Sequence, residues 1–209
     1  LAAIMVVSVT ACGNSSGEES ATPSESTEEA ADTGDDATAE SDGGAASTGE
    51  KVLSVQIGPN LETLDPALNS AVDGGNMILH TFECLLTVDE EGKLAPGQAE
   101  SWETSEDGLT WTFHLRDGLK WSDGSDLTAN DFVYSWQRVC DPNTAAPYAE
   151  TVLSMVEGYE EAIAGDITKL NVVAVDDKTL EVHLSSACSY FGSLAAFATL
   201  SPVQQATVE

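Results

Sequence analysis

The sequence is poor in positive charge. Only 7 Lys and Arg stand against 36 Asp and Glu, for a formal net charge of -29. A nucleic-acid binder needs clustered Lys and Arg to displace counterions from phosphates, and no such cluster exists here, so that class is excluded. Catalytic and metal signatures are missing as well. There is no His-Glu-x-x-His pair; His80, His114 and His183 stand alone, and the cysteines follow no zinc spacing. The expectation is a protein with no metal, no cofactor and no catalytic residues. Its acidity is expected to be a solvated surface able to steer cations. A surface hydrolase using two carboxylates is the remote enzymatic alternative.

The apolar run at residues 1–11 has no basic residue in front of it, and 11 residues are too few to span a bilayer as a helix. Leu1 is no initiator and the sequence stops at Val208-Glu209 without punctuation, so the chain is expected to be a piece of a longer one that begins inside a secretory signal. The run ends at Val9-Thr10-Ala11-Cys12, which resembles a bacterial lipobox. That resemblance implies thioether lipidation of Cys12, removal of residues 1–11, and anchoring at the outer face of the bacterial cytoplasmic membrane. Two or three acyl chains anchor stably where one holds only marginally.

Residues 13–50 contain 11 acidic residues, no Lys or Arg, and no aromatic or large aliphatic side chain. Such a segment cannot bury enough apolar surface to offset its ordering entropy, so it is expected to be a disordered tether. A flexible chain of that length averages roughly 35 Å end to end.

From Lys51 onward the pattern is that of structure. The alternation over residues 52–57, closed by Gly58-Pro59-Asn60, predicts a strand and a turn. Met77, Ile78, Phe82 and Leu85 recur at helical spacing, predicting a helix over residues 76–86. Thr110-Trp111-Thr112-Phe113-His114-Leu115 alternates between two turn signals and predicts a strand. Thr128 followed by Asp131 gives a capping-box start to a helix whose apolar face is Phe132, Val133, Trp136, Val139 and Cys140, stopped by Asp141-Pro142. Residues 172–175 and 179–184 flank Asp176-Asp177-Lys178 as a hairpin. The fold class expected from these elements is α/β, mixed α+β. Trp102, Trp111, Trp121 and Trp136 are expected in the core, each with one N–H to satisfy. Trp121-Ser122-Asp123-Gly124 is expected to form a tight turn, and Arg116 is expected to pair with Asp123.

Several motifs occur in a specific order: Leu64-Asp65-Pro66; Phe82-Glu83-Cys84-Leu85-Leu86; Pro96-Gly97-Gln98-Ala99-Glu100-Ser101-Trp102; Asp107 through Arg116; Lys120-Trp121-Ser122-Asp123-Gly124; Thr128 through Arg138; and Asp141-Pro142-Asn143-Thr144-Ala145-Ala146-Pro147-Tyr148. Over about residues 51–205 the chain resembles the extracellular solute-binding proteins of the peptide and nickel class (solute-binding protein family 5), and the last motif resembles their oligopeptide-binding branch. The resemblance implies a two-lobed receptor with a type II periplasmic-binding-protein-like fold, monomeric, which closes over an oligopeptide. It would deliver that ligand to an ABC permease served by ATPase subunits. It also implies the domain layout: residues 51–82 and 201–209 in the first lobe, residues 83–200 as its accessory subdomain, and the second lobe missing.

By the same resemblance Tyr148 falls on a tyrosine that lines the ligand cleft. Val72 falls on extended backbone that pairs with the ligand in strand-like fashion. Ser70 stands where the branch often carries a glutamate facing the ligand. Cys84 replaces a glycine, and Ser186-Ala187-Cys188-Ser189 replaces a proline-containing stretch. A disulfide among Cys84, Cys140 and Cys188 is open, with no pair favoured. Because fold does not fix ligand, a dipeptide, a signalling peptide, an oligosaccharide or a nickel chelate is the alternative solute.

Overall fold

The computed structural model describes Gly58 and residues 60–209. The strand expected over residues 52–57, the acidic segment and Cys12 lie outside the described residues.

The chain runs α1 (Val72–Thr81), β1 (Leu86–Val88), β2 (Leu94–Pro96), β3 (Ala99–Thr104), β4 (Thr110–Leu115), α2 (Ala129–Cys140), α3 (Ala149–Leu153), α4 (Tyr159–Ile163), β5 (Val172–Ala174), β6 (Thr179–His183), α5 (Phe191–Leu194) and α6 (Gln205–Val208). Strands β1 and β2 form a small antiparallel ribbon, and the other four make an antiparallel sheet in the order β3-β4-β6-β5. The chain thus leaves the sheet after β4, builds α2 to α4, and returns with β6 placed between β4 and β5.

Register explains which face is buried. Phe113 sits opposite both Trp102 and Leu180, and Val182 sits opposite both Trp111 and Val172. Partners across an antiparallel pair share a face, so the alternation along β4 puts Trp111, Phe113 and Leu115 inward with Leu180 and Val182. Helix α2 covers this face with Phe132, Trp136 and Val139, all buried. The aromatic rings form a connected cluster: Trp111 lies 6.2 Å from Phe113 and 5.7 Å from Phe191, which in turn meets Trp136 edge-on at 6.3 Å. Trp102 and Trp121 are only partly buried against this core.

The start of α2 is set locally, as the sequence predicts. The Asp131 carboxylate accepts the Thr128 N–H at 2.7 Å and the Thr128 hydroxyl at 3.2 Å. The helix stops at Cys140 because Asp141, the residue before Pro142, adopts extended backbone (φ -67, ψ 122). Further along the chain, the β5–β6 hairpin falls within the expected residues, each strand ending one residue earlier than the pattern predicts.

Two expectations are corrected. The helix predicted over residues 76–86 begins earlier and ends at Thr81, with Phe82 already extended (φ -118, ψ 162). Residues 84 and 85 instead bond backbone to backbone with residues 97–99: Cys84 O accepts the Gln98 N–H and Leu85 O the Ala99 N–H, both at 2.9 Å. This pairing takes Leu85 out of any helix. The Arg116–Asp123 ion pair does not form either. Arg116 donates to both Glu83 oxygens at 2.9 and 2.6 Å, while Asp123 accepts from Ser125 and Gln204. The turn at residues 121–124 is present, closed by Gly124 N–H to Trp121 O at 3.0 Å.

The segment after α5 is tied back to α2 and to Cys84. Trp136 Nε1 donates to Leu200 O at 3.0 Å, Ser135 Oγ accepts the Val203 N–H at 2.8 Å, and Cys84 Sγ lies 3.1 Å from Ser201 Oγ. Cys84, Cys140 and Cys188 are all free and buried.

Candidate functional site

The three residues singled out in the sequence, Ser70, Val72 and Tyr148, line one cleft of about 310 Å³ together with Asn76, Leu79 and residues 196–199. One wall is built on Asp65. Its backbone oxygen accepts the N–H groups of Leu68 and Asn69 at 3.1 Å, and its carboxylate accepts the Ala67 N–H at 3.0 Å. Arg138 of α2 holds the same carboxylate through both oxygens at 3.0 and 2.6 Å. That carboxylate also raises the Arg138 pKa above its ordinary value. The Asn69 side chain then donates to Ala71 O at 3.0 Å, which fixes Ser70 between them. Gly74 permits this arrangement, since a Cβ there would lie 2.0 Å from Asn69 Oδ1.

The strand-like placement of Val72 is corrected. Ala71 has extended backbone (φ -108, ψ 148), and Val72 is the first residue of α1. Its N–H belongs to the helix's first turn, where no intrahelical acceptor exists. Its side chain is 82% exposed.

The opposite wall comes from the turn before α3. Asp141 organises it: its backbone oxygen accepts the Thr144 N–H at 2.9 Å and its carboxylate the Asn143 N–H at 2.8 Å. Tyr148 follows, half-buried, with its ring meeting Phe197 edge-on at 5.5 Å. Phe197 and Leu79, 39% and 59% exposed, were not indicated by the sequence. Their side chains belong to an α5-adjacent turn and to the outer face of α1, and only the fold brings them to Tyr148.

Among the described residues, the lining carries no Asp, Glu, Lys, Arg, His or Cys. It offers exposed apolar surface, a first-turn amide, the Ser70 hydroxyl and the Asn76 amide. Such a set suits binding of a mixed polar and apolar ligand. Elsewhere, among the described residues, no group of three or more His, Cys, Asp or Glu side chains is placed to hold a metal ion, and no helix is long and apolar enough to cross a membrane.

The profile of the bacterial extracellular solute-binding proteins, family 5, middle region, matches residues 93–209. The chain belongs to this family. Among its relatives, the periplasmic oligopeptide-binding protein OppA of Escherichia coli is 47% identical over 155 residues, covering 73% of this chain and 28% of that protein. The probable deoxycholate-binding periplasmic protein YgiS of the same organism is 44% identical over 144 residues, 68% of this chain and 27% of that protein. In three dimensions the chain is similar to Haemophilus influenzae OppA in complex with RPPGFSPFR, with a TM-score of 0.69 and 42% identity, covering 73% of this chain and 30% of that one. The mixed α+β architecture is thus the type II periplasmic-binding-protein-like fold of the family, and the chain spans somewhat under a third of the length of these relatives.

Proposed function

We propose that this chain is part of the substrate-binding receptor of an ABC importer that captures oligopeptides outside the cytoplasm and passes them to a membrane permease and its ATPase subunits. Residues 83–200 act as the accessory subdomain of the first lobe, to which residues 51–82 and 201–209 contribute. Lipid on Cys12 holds the receptor at the membrane surface, with residues 13–50 as the tether. Ser70, Val72 and Tyr148 contact the ligand, Val72 through its first-turn amide and Tyr148 through its ring and hydroxyl. No bond is made or broken.

The observation that carries this reading is the convergence of those three residues on one uncharged cleft, in a chain 47% identical to an oligopeptide-binding protein. Calorimetric titration of the full-length receptor with a di- to hexapeptide library, against sugars and nickel chelates, tests it. Peptide binding that falls on Tyr148→Ala supports the proposal, and binding of only the non-peptide ligands refutes it. A Cys12→Ala protein that remained lipid-labelled and membrane-bound would end the anchoring claim.

A second reading has one observation behind it. A relative 44% identical carries the name of a deoxycholate-binding protein, and the cleft exposes Val72, Leu79 and Phe197, a surface that an amphipathic small molecule could also cover. Adding deoxycholate to the same titration separates the two.

A further inference from the structure

We infer that the cleft between α1 and Tyr148 is a side-chain pocket that selects an uncharged apolar or aromatic side chain of the captured peptide, with position 70 setting that preference. The inference rests on the oligopeptide reading above. Its first support is a contrast of charge. The chain carries 36 acidic and 7 basic residues, yet among the described residues no charged side chain lines this cleft. A Lys, Arg or Glu side chain of the ligand seated here would lose water without gaining a counter-ion, which is strongly unfavourable. Arg138 and Asp65, beneath the Ser70 segment, cannot serve, because both oxygens of the carboxylate are already held by the guanidinium.

The second support is what the cleft does expose. Val72 at 82% and Leu79 at 59% leave apolar surface in water along α1, and Phe197 faces it beside Tyr148. An apolar ligand side chain covers that surface, and an aromatic one extends the edge-on pair of rings already present. Size is consistent with one or two side chains. At about 310 Å³ the cleft lies at the lower end of the roughly 300–1,000 Å³ that whole small-molecule ligands occupy.

The net charge of -29 acts differently. It draws cationic peptides toward the protein over distances of about a Debye length, roughly 10 Å at 0.1 M salt, and this attraction fades as salt rises. The contact preference in the cleft does not. Salt therefore separates the two effects.

The test is a positional series of tetra-alanine peptides carrying a single Phe, Leu, Lys or Glu at each position in turn, titrated into the full-length receptor at low and at high salt. At one position Phe and Leu bind at least about tenfold tighter than Lys and Glu, and at that position the gap persists in high salt. Ser70→Glu narrows the gap between Phe and Lys at that position by about tenfold at low salt. Leu79→Asp, a change on an exposed side chain, reduces the Phe advantage independently of position 70. Equal binding of Phe and Lys at every position, or Lys ahead in high salt, overturns the inference while leaving the oligopeptide reading standing. A Phe preference untouched by both substitutions also overturns it, since the preference would then arise elsewhere in the receptor. Failure of the whole series to bind brings down the oligopeptide reading itself, and this inference with it.

Discussion

Arg138 holds Asp65 in a two-point grip, Nη1 to Oδ1 at 3.0 Å and Nη2 to Oδ2 at 2.6 Å, with the two side chains only 17% and 19% exposed. The same aspartate caps the turn at residues 65–69 that carries Ser70 to the cleft. Removal of the guanidinium leaves a mostly buried carboxylate without its counter-ion. Arg138→Ala is therefore expected to cost about 1–3 kcal/mol in denaturant unfolding of the full-length receptor and to weaken peptide binding. Arg138→Lys keeps the charge but not the fork, so it recovers only part of the loss. A double-mutant cycle with Asp65→Ala measures the coupling. An Arg138→Ala protein with an unchanged midpoint would show that the grip contributes nothing.

Trp136 is fully buried and donates its indole N–H to Leu200 O, so it joins α2 to the chain that returns past the cleft. Trp136→Phe opens a small cavity and leaves a buried carbonyl unpaired, for about 2–4 kcal/mol together. Trp121, only partly buried, gives the control: Trp121→Phe should cost under about 1 kcal/mol. Similar losses for both substitutions in chemical denaturation would contradict this ranking.

How much of this was legible in the sequence depends on how local each cause is. The alternation of Trp111, Phe113 and Leu115 and the Thr128–Asp131 start of α2 depend on near neighbours, and both elements fall where the pattern puts them. Helix α1 did not, because Gly74 and Gly75 weaken its first turn as a signal and Leu85 is claimed by Ala99 from a distant strand. The partner of Arg116 was misread for a similar reason: Glu83 lies 33 residues away in sequence and reaches it only through the pairing of residues 84–85 with 97–99. At the cleft, Ser70, Val72 and Tyr148 were reached through resemblance to a family. Phe197 and Leu79 could not be, since no spacing in the chain links either to Tyr148.

The buried thiols make stability fall on the alkaline side. Burial pushes Cys84 up to about 11 and Cys140 to about 12 from an ordinary 9.0, and burial likewise raises Tyr159 to about 12 from 10.0. Each of these groups is held neutral in the folded state more firmly than in the unfolded chain. Their contribution is thus complete below about pH 9 and is lost as pH rises through the window from about 9 to about 12. Denaturant midpoints should be flat toward pH 9 and decline above it, and Cys140→Ala should flatten part of that decline. Iodoacetamide at pH 8 should leave Cys84 and Cys140 unlabelled in the native protein and label both once it is unfolded. Rapid native labelling of either cysteine would contradict the burial on which the argument stands.

Gly158 offers a test of how tightly the end of the sheet is fastened to α4. It precedes α4 with φ +80, and a Cβ there would lie 1.9 Å from the Lys169 carbonyl oxygen. The approach is close because Glu157 bridges two segments: its N–H donates to His183 O and its carbonyl accepts the Asn171 N–H, each at 2.8 Å. Gly158→Ala therefore combines the strain of a left-handed residue with a backbone overlap that no side-chain rotation relieves, for more than about 2 kcal/mol. Gly124, with φ +87 and open space around the missing Cβ, isolates the first effect, so Gly124→Ala should cost about 1 kcal/mol. Thermal and denaturant unfolding of the two variants side by side decide the point: equal losses would mean that the Gly158–Lys169 contact yields easily.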